Sequence, residues 1–402
     1  MDWRKYGMRT QAVHAGEGGE RPDFSPVTTP IYNSVGYLYD DMEDLDGVFA
    51  NTRAGFVYPR YGNPTVAALE TAVATLEGAE GAVATASGMA AIHLALISLG
   101  LKPGDRVVAA RDVYGATYAL LNSLMRSQGV QVDFVEVTDL AETRAVVQSA
   151  RPRAVLVETL SNPLLKVADL PQLAEAAHAV GAALLVDSSF TSPYLVQPLA
   201  WGADYVVHSA TKYLGGHGDV MGGVVASSQE RCAQMRELLK LTGGNLGPNE
   251  AWLVLRGLKT LPLRMRQQCE NAQAVAEWLA GRRDVRRVHY PGLPAHPQHE
   301  LAARLLRPGH FGGMISFELQ GGDRGRVFRF MEALRLCLPV TTLGDVYSLV
   351  LYPAMSSHRA VPAEERARMG IGEGLVRLSV GIEEAADIIA DLDQALSGIG
   401  QE

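Results

Sequence analysis

Cysteine is scarce in this chain. Cys232, Cys269 and Cys337 are the only three. They lie far apart without a CxxC pair, which excludes a disulfide framework and a cysteine-rich zinc site and points to the reducing cytoplasm. Long apolar runs are missing too. Nothing approaches a membrane span, and the polar start Met1-Asp2-Trp3-Arg4-Lys5 precedes no apolar segment of signal-peptide length. Nor is there a block of like charge. The densest basic patch, Arg282-Arg283 with Arg286-Arg287, reads as a solvated helix end. With 44 acidic against 36 basic residues, a net charge of −8, the chain lacks the footprint of a nucleic-acid or anionic-membrane partner.

Apolar residues are plentiful. They make up 47% of the 402 positions, against 20% charged, a balance that suits a packed soluble protein and excludes extended disorder. The length suits two globular domains. Residues 1–60 stand apart: Gly16, Gly18, Gly19, Pro22, Pro26 and Pro30 precede an acidic stretch from Asp40 to Asp46. Such a segment forms no core of its own and reads as an arm lying on another surface.

Residues 61–250 alternate helical and strand patterns, the mark of an α/β domain. Helices are expected over Thr65 to Leu76 with a stop at Gly78, from Ser87-Gly88 to Leu99, Ala116 to Ser127, and Leu170 to Val180. Strands are expected at Ala82 to Thr85, Arg106 to Ala109, Val132 to Val137, Ala154 to Glu158, Ala183 to Asp187, and Tyr205 to His208. Their Ala, Val and Leu runs show little alternation, which suits a mostly parallel sheet covered on both faces. Residues 251–402 change character and read as a smaller α+β C-terminal domain. Helices are expected at Glu250 to Leu258, Leu263 to Ala280, and Glu383 to Leu396, with strands at Met314 to Leu319 and Leu375 to Val380.

Ligands of open α/β sheets gather at the carboxyl ends of the strands, and several polar groups fall there. Ser87-Gly88-Met89 opens a helix, where backbone N–H groups suit a phosphate or Ser87 simply caps the helix. Asp187 ends an apolar strand. It calls for a cationic partner, or caps the following loop. Ser209-Ala210-Thr211-Lys212 sets two hydroxyls beside a lysine, ahead of the glycine-rich Leu214-Gly215-Gly216-His217-Gly218-Asp219. That combination suits a phosphorylated aldehyde held covalently by Lys212.

These segments, together with Tyr58-Pro59-Arg60-Tyr61-Gly62-Asn63-Pro64-Thr65, Val113-Tyr114-Gly115-Ala116-Thr117 and Val376-Arg377-Leu378-Ser379-Val380-Gly381, resemble the Cys/Met-metabolism family of pyridoxal-phosphate (PLP) enzymes. That family includes cystathionine γ-synthase, cystathionine γ-lyase, methionine γ-lyase and O-acylhomoserine sulfhydrylase. The resemblance covers nearly the whole chain. It implies PLP-dependent transferase fold type I, with an N-terminal arm contacting a neighbouring subunit, and a homotetramer built as a dimer of catalytic dimers.

Residue by residue, the resemblance implies that Lys212 carries the cofactor as a Schiff base and moves protons on and off an amino-acid substrate. Asp187 pairs with the pyridine nitrogen. Ser209, Thr211 and the amides of Gly88 and Met89 hold the phosphate. Tyr114 stacks on the ring and assists the departing group, and Asn162 lies beside the cofactor. Tyr58 and Arg60 reach the phosphate of a neighbouring subunit's site, and Tyr58 also borders the substrate. Arg377 and Thr342 bind the substrate carboxylate. No metal is implied.

The implied reaction is cleavage of a C–S bond by γ-elimination on methionine or a related thioether, giving 2-oxobutanoate, ammonia and a thiol. γ-Replacement by a sulfhydrylase or cystathionine γ-synthase is the alternative, followed by aminotransfer and by a non-catalytic PLP-binding role. His217-Gly218-Asp219 resembles the methionine γ-lyase form of its loop, yet Ala116 stands where those enzymes have cysteine. Tyr347 replaces the usual glutamate after Thr342-Leu343-Gly344-Asp345-Val346, which argues against recognition of cystathionine's distal ammonium. Pro59 is also an uncommon residue at its place.

Overall fold

The protein is described by a computed structural model over residues 2–15, 26–359 and 363–398. Gly16, Gly18, Gly19 and Pro22 of the expected arm lie outside these residues. Two sheets organise the chain. The first contains β1 (Gly81–Thr85), β2 (Arg106–Ala110), β3 (Gln131–Val135), β4 (Ala154–Glu158), β5 (Ala183–Asp187), β6 (Tyr205–Ser209) and β7 (Gly223–Ser227). Its order is β1-β7-β6-β5-β4-β2-β3. Strand β7 is antiparallel to both neighbours and the remaining pairings are parallel, so the other strands all run one way.

Strand β7 is absent from the sequence expectation, and its glycines explain why. Met221-Gly222-Gly223 reads as the tail of the preceding loop. The missing side chain of Gly223 is what lets the strand pass the Ser87 carbonyl, since a Cβ there would lie 2.2 Å from that oxygen. The residues that hide the strand are the ones its packing requires. A second departure falls in the expected Ala116 to Ser127 helix. The α-helix covers only Gly115–Ala119 and widens into a π-type turn over Leu120–Met125. The helices Leu140–Ala150 and Gln229–Thr242 are likewise absent from the sequence expectation, whereas the expected helix Pro64–Glu77 is present, capped by Asn63 and ending at Gly78 in the left-handed region, φ 68°.

The second sheet contains β8 (Val285–His289), β9 (Met314–Leu319), β10 (Leu338–Pro339), β11 (Leu349–Leu351) and β12 (Leu375–Ser379), in the order β10-β11-β12-β9-β8. Helices Leu261–Ala280, Arg324–Ala333 and Ala385–Gly398 pack together and bury Val275, Phe317, Phe330, Val376, Ile388 and Leu392 in a core of their own. Near the N-terminus, the helix Met8–His14 packs on Pro64–Glu77 and Leu261–Ala280. The stretch that follows leaves Val27, Val35, Leu38 and Met42 more than half exposed. Among the described residues, no helix is long and apolar enough to cross a membrane.

Because the parallel strands share a direction, their carboxyl ends bring Ser87, Tyr114, Glu158, Asp187 and Lys212 to one edge. Gly223→Ala is expected to cost about 1–3 kcal/mol through overpacking against Ser87. A thermal-unfolding midpoint equal to that of the parent protein would count against this account of β7.

Candidate active site

At that edge lies a cavity of about 500 Å³ lined by residues of both sheets. The volume is within the range of small-molecule and cofactor sites. Ser87, Gly88, Met89, Tyr114, Asn162, Asp187, Ser209, Thr211, Lys212 and Arg377 all line it. The structure thus collects most of the residues singled out in the sequence, from positions spread over nearly 300 residues.

Two short turns make one end of the cavity. The Ser87 side chain accepts the Ala90 N–H at 3.2 Å and caps the helix Gly88–Ser98. Both readings of Ser87-Gly88-Met89 therefore apply. Ser87 is a cap, while the first N–H groups of the helix have no intrahelical acceptor and lie where an anion would sit. Gly88 is required for a close approach: a Cβ there would come within 2.8 Å of the Ser209 Cβ. Ser209 is held from behind, its N–H donating to the Ser189 hydroxyl at 2.7 Å. Thr211 is fixed by its hydroxyl, which accepts the Gly222 N–H at 3.1 Å.

Lys212 follows in the turn after β6, its N–H donating to the Ser209 carbonyl at 3.1 Å. Its amine crosses to the loop between β10 and β11 and donates to Thr342 Oγ1 at 2.9 Å. Burial, with the nearby Arg377 guanidinium adding to it, lowers the amine from its usual value to about 8, against the opposing charge of Asp345. Thr342 was expected to offer its hydroxyl to a substrate carboxylate. Here the hydroxyl is engaged by Lys212, because the amine has no carboxylate partner within salt-bridge distance among the described residues.

Of the two roles expected of Asp187, the cap on the following loop is the one present among the described residues. Instead of a cationic side chain, its carboxylate meets the Ser189 N–H at 2.9 Å. Burial raises its pKa, and the Ser189 hydrogen bonds and the His208 charge oppose the rise. A strand-end acid in this state suits the protonated ring nitrogen of a bound heterocycle, which would supply the missing cation.

Arg377, on β12 and 3% exposed, donates to Asn162 Oδ1 at 2.9 Å and to the Thr342 carbonyl at 3.3 Å. Burial lowers its pKa to about 10, which leaves the guanidinium charged near neutrality. It has no salt-bridge partner among the described residues, so a buried cation faces the cavity with its charge uncompensated by a direct pair. The Asn162–Pro163 bond is cis. Tyr114 stands half-exposed at the cavity wall, 41% accessible.

Tyr58 and Arg60 are not brought into this cavity. Arg60 donates to the Lys240 carbonyl, its guanidinium lies 5.0 Å from the Tyr61 ring centre, and it lines a separate cavity with Val66, Arg236 and Asn245. The structure also adds Glu158, Ser189, Phe190, Met221, Leu343, Leu351, Ser356 and Ser357 to the lining. Glu158 carried the same signal as Asp187, an acid ending an apolar strand, and was legible on that ground. The others sit on loops or in apolar runs that mark no site locally.

Helix-start amides and hydroxyls at one end, a strand-end acid without a cation, and a lysine amine near neutral pKa fit a phosphorylated pyridine aldehyde in size and chemistry. Comparisons with known proteins agree. The chain is 42% identical over 403 residues to the L-methionine gamma-lyase of Fusobacterium nucleatum subsp. polymorphum, covering 99% of this chain and 100% of the relative. It is 43% identical over 392 residues to the O-succinylhomoserine sulfhydrylase of Pseudomonas aeruginosa, covering 97% and 95%. A crystal structure of cystathionine gamma synthase from Xanthomonas oryzae pv. oryzae, in complex with aminoacrylate and cysteine, superposes with a TM-score of 0.92 at 41% identity. That match covers 98% of this chain and 99% of the other. The architecture is fold type I of the PLP-dependent enzymes. Residues 9–397 match the Cys/Met metabolism PLP-dependent enzyme family, and the chain belongs to that family.

Proposed function

We propose that the protein cleaves the C–S bond of methionine or a related thioether by γ-elimination, consuming water and releasing 2-oxobutanoate, ammonia and a thiol. The observation that carries the reading is the Lys212 amine, lowered to about 8 and facing a cavity whose wall is largely apolar. Ile92, Leu160, Phe190, Met221, Leu343 and Leu351 contribute to that wall, which suits an uncharged thioether. Among the described residues the only carboxylates lining it, Glu158 and Asp187, belong to adjacent strand ends, and Tyr347 stands where the family has glutamate. A distal ammonium, as in cystathionine, therefore finds no acidic partner along the apolar wall among the described residues.

Bound PLP supplies an aldehyde and an electron-withdrawing ring conjugated with the substrate Cα. Ser209, Thr211 and the amides of Gly88 and Met89 would hold its phosphate, and Asp187 its ring nitrogen. Arg377, oriented by Asn162, binds the substrate carboxylate as a planar fork. The Lys212 amine takes the Cα proton and moves protons onward, a task its lowered pKa suits near neutrality. Tyr114 covers the ring and gives a proton to the departing sulfur.

A second reading, γ-replacement, is favoured by Ala116 in place of the cysteine of methionine γ-lyases. The similarity to the P. aeruginosa sulfhydrylase, 43%, also matches that to the lyases. In our reading residues 1–60 form an arm over a neighbouring subunit, 61–250 the PLP-binding domain and 251–402 the small domain. The assembly is a cytoplasmic homotetramer, a dimer of catalytic dimers. Supporting this, the arm exposes Val27 and Leu38 almost fully, and Tyr58 and Arg60 lie outside their own chain's cavity.

Given methionine, cystathionine, or O-acetylhomoserine with sulfide, the enzyme is expected to release oxo acid and thiol fastest from methionine. Thioether or thiol amino-acid formation outpacing oxo acid would instead establish replacement. The rate at which the apo-protein captures PLP should rise with pH about a midpoint of 8, because only the neutral amine attacks the aldehyde. A midpoint near the ordinary lysine value of about 10.4 would refute the lowered amine. Mixing Arg60→Ala with Lys212→Ala subunits should restore part of the activity, since one hybrid site then carries both native residues. No recovery would mean that each chain completes its own site.

A further inference from the structure

Glu158 ends β4 directly beside Asp187, the two paired in register on neighbouring parallel strands. Its side chain is 8% exposed and forms no salt bridge among the described residues. Instead its two oxygens serve two separate loops. Oε1 accepts the Tyr114 N–H at 2.6 Å, and Oε2 accepts the Asn162 N–H at 3.1 Å. Asn162 in turn holds the Arg377 guanidinium through Oδ1 at 2.9 Å. The Tyr114 loop has little room to shift, because a Cβ at Gly115 would meet the Ser357 carbonyl at 2.3 Å.

An acid buried without a cation is costly to ionise, and two hydrogen bonds from backbone N–H groups offset part of that cost. Burial and the adjacent Asp187 raise the Glu158 pKa well above the usual carboxylate range, opposed by those two N–H groups. Nothing in packing alone calls for an acid at the end of an otherwise apolar strand.

We propose that Glu158 is a positioning residue that ties the Tyr114 turn to the Asn162–Arg377 pair, so that one carboxylate sets both the ring-covering aromatic and the carboxylate-binding fork. This rests on the site reading above. The requirement is for two acceptors at once. Glutamine offers one acceptor and an NH2 group that repels the second N–H, and aspartate keeps the carboxyl with too short a reach for both loops.

The test uses the holoenzyme with Glu158→Gln and Glu158→Asp, each able to report if the other fails to fold. Amide hydrogen exchange is followed in peptides covering residues 112–118 and 160–165, beside KM, kcat and the PLP dissociation constant. Exchange in the loosened loop and KM or PLP dissociation are each expected to rise about tenfold, the cost of leaving one buried N–H donor unpaired. Exchange across β2 and β5 should stay unchanged. Retention of parent exchange rates in both loops, with KM and PLP dissociation within about twofold, would overturn the proposal. Lys212→Ala distinguishes the two layers of inference. If it keeps PLP binding and turnover, the site reading fails; if it loses both while Glu158→Gln changes nothing, only the role of Glu158 fails.

Discussion

Burial of the Lys212 amine between the two sheets is the constraint on which the site depends. The amine is anchored to the first sheet by the turn after β6 and to the loop between β10 and β11 by Thr342 Oγ1. An ammonium in that position is disfavoured by desolvation and by the cationic Arg377, with Asp345 too weak a counterweight to restore its usual pKa. A lysine in such a place is poised for carbonyl chemistry and proton transfer rather than for an ion pair.

The same economy of charge runs through the rest of the cavity. Among the described residues, Arg377 is buried without a carboxylate partner, and the partly buried Asp187 has no cation in salt-bridge contact. Each is held by neutral groups, a carbonyl or amide for the arginine and an N–H for the aspartate. Charges so arranged are costly while unpaired, and a zwitterionic amino acid joined to a protonated ring would pair both. The site is thus complementary to a charge pattern that the chain itself does not supply.

Much of this was legible along the chain. Asp187 stood out as an acid closing an apolar strand, Lys212 as an amine between two hydroxyls and a glycine-rich loop, and Ser87-Gly88 as a helix start after a strand. These signals are local, because caps, turns and strand ends are decided by neighbours in sequence. Strand β7 was not legible, since Gly223 serves a contact with Ser87 that exists only once the sheet is assembled. The π-type turn at Leu120–Met125 was equally hidden, as its residues suit an ordinary helix.

The order of apolar and polar residues by itself determined the alternating strands and helices of the first sheet and the polar strand ends that gather at its edge. Periodicity and burial are short-range properties, and they leave a trace in every few residues. Only the tertiary structure decided which polar groups meet. It brought Thr342 to Lys212, set the Glu158 carboxyl against the Tyr114 turn, tied Arg60 to Lys240, and joined Arg377 to Asn162. Those contacts join segments far apart in the chain, and their partners are chosen by the packing of the two sheets rather than by any pattern within a segment.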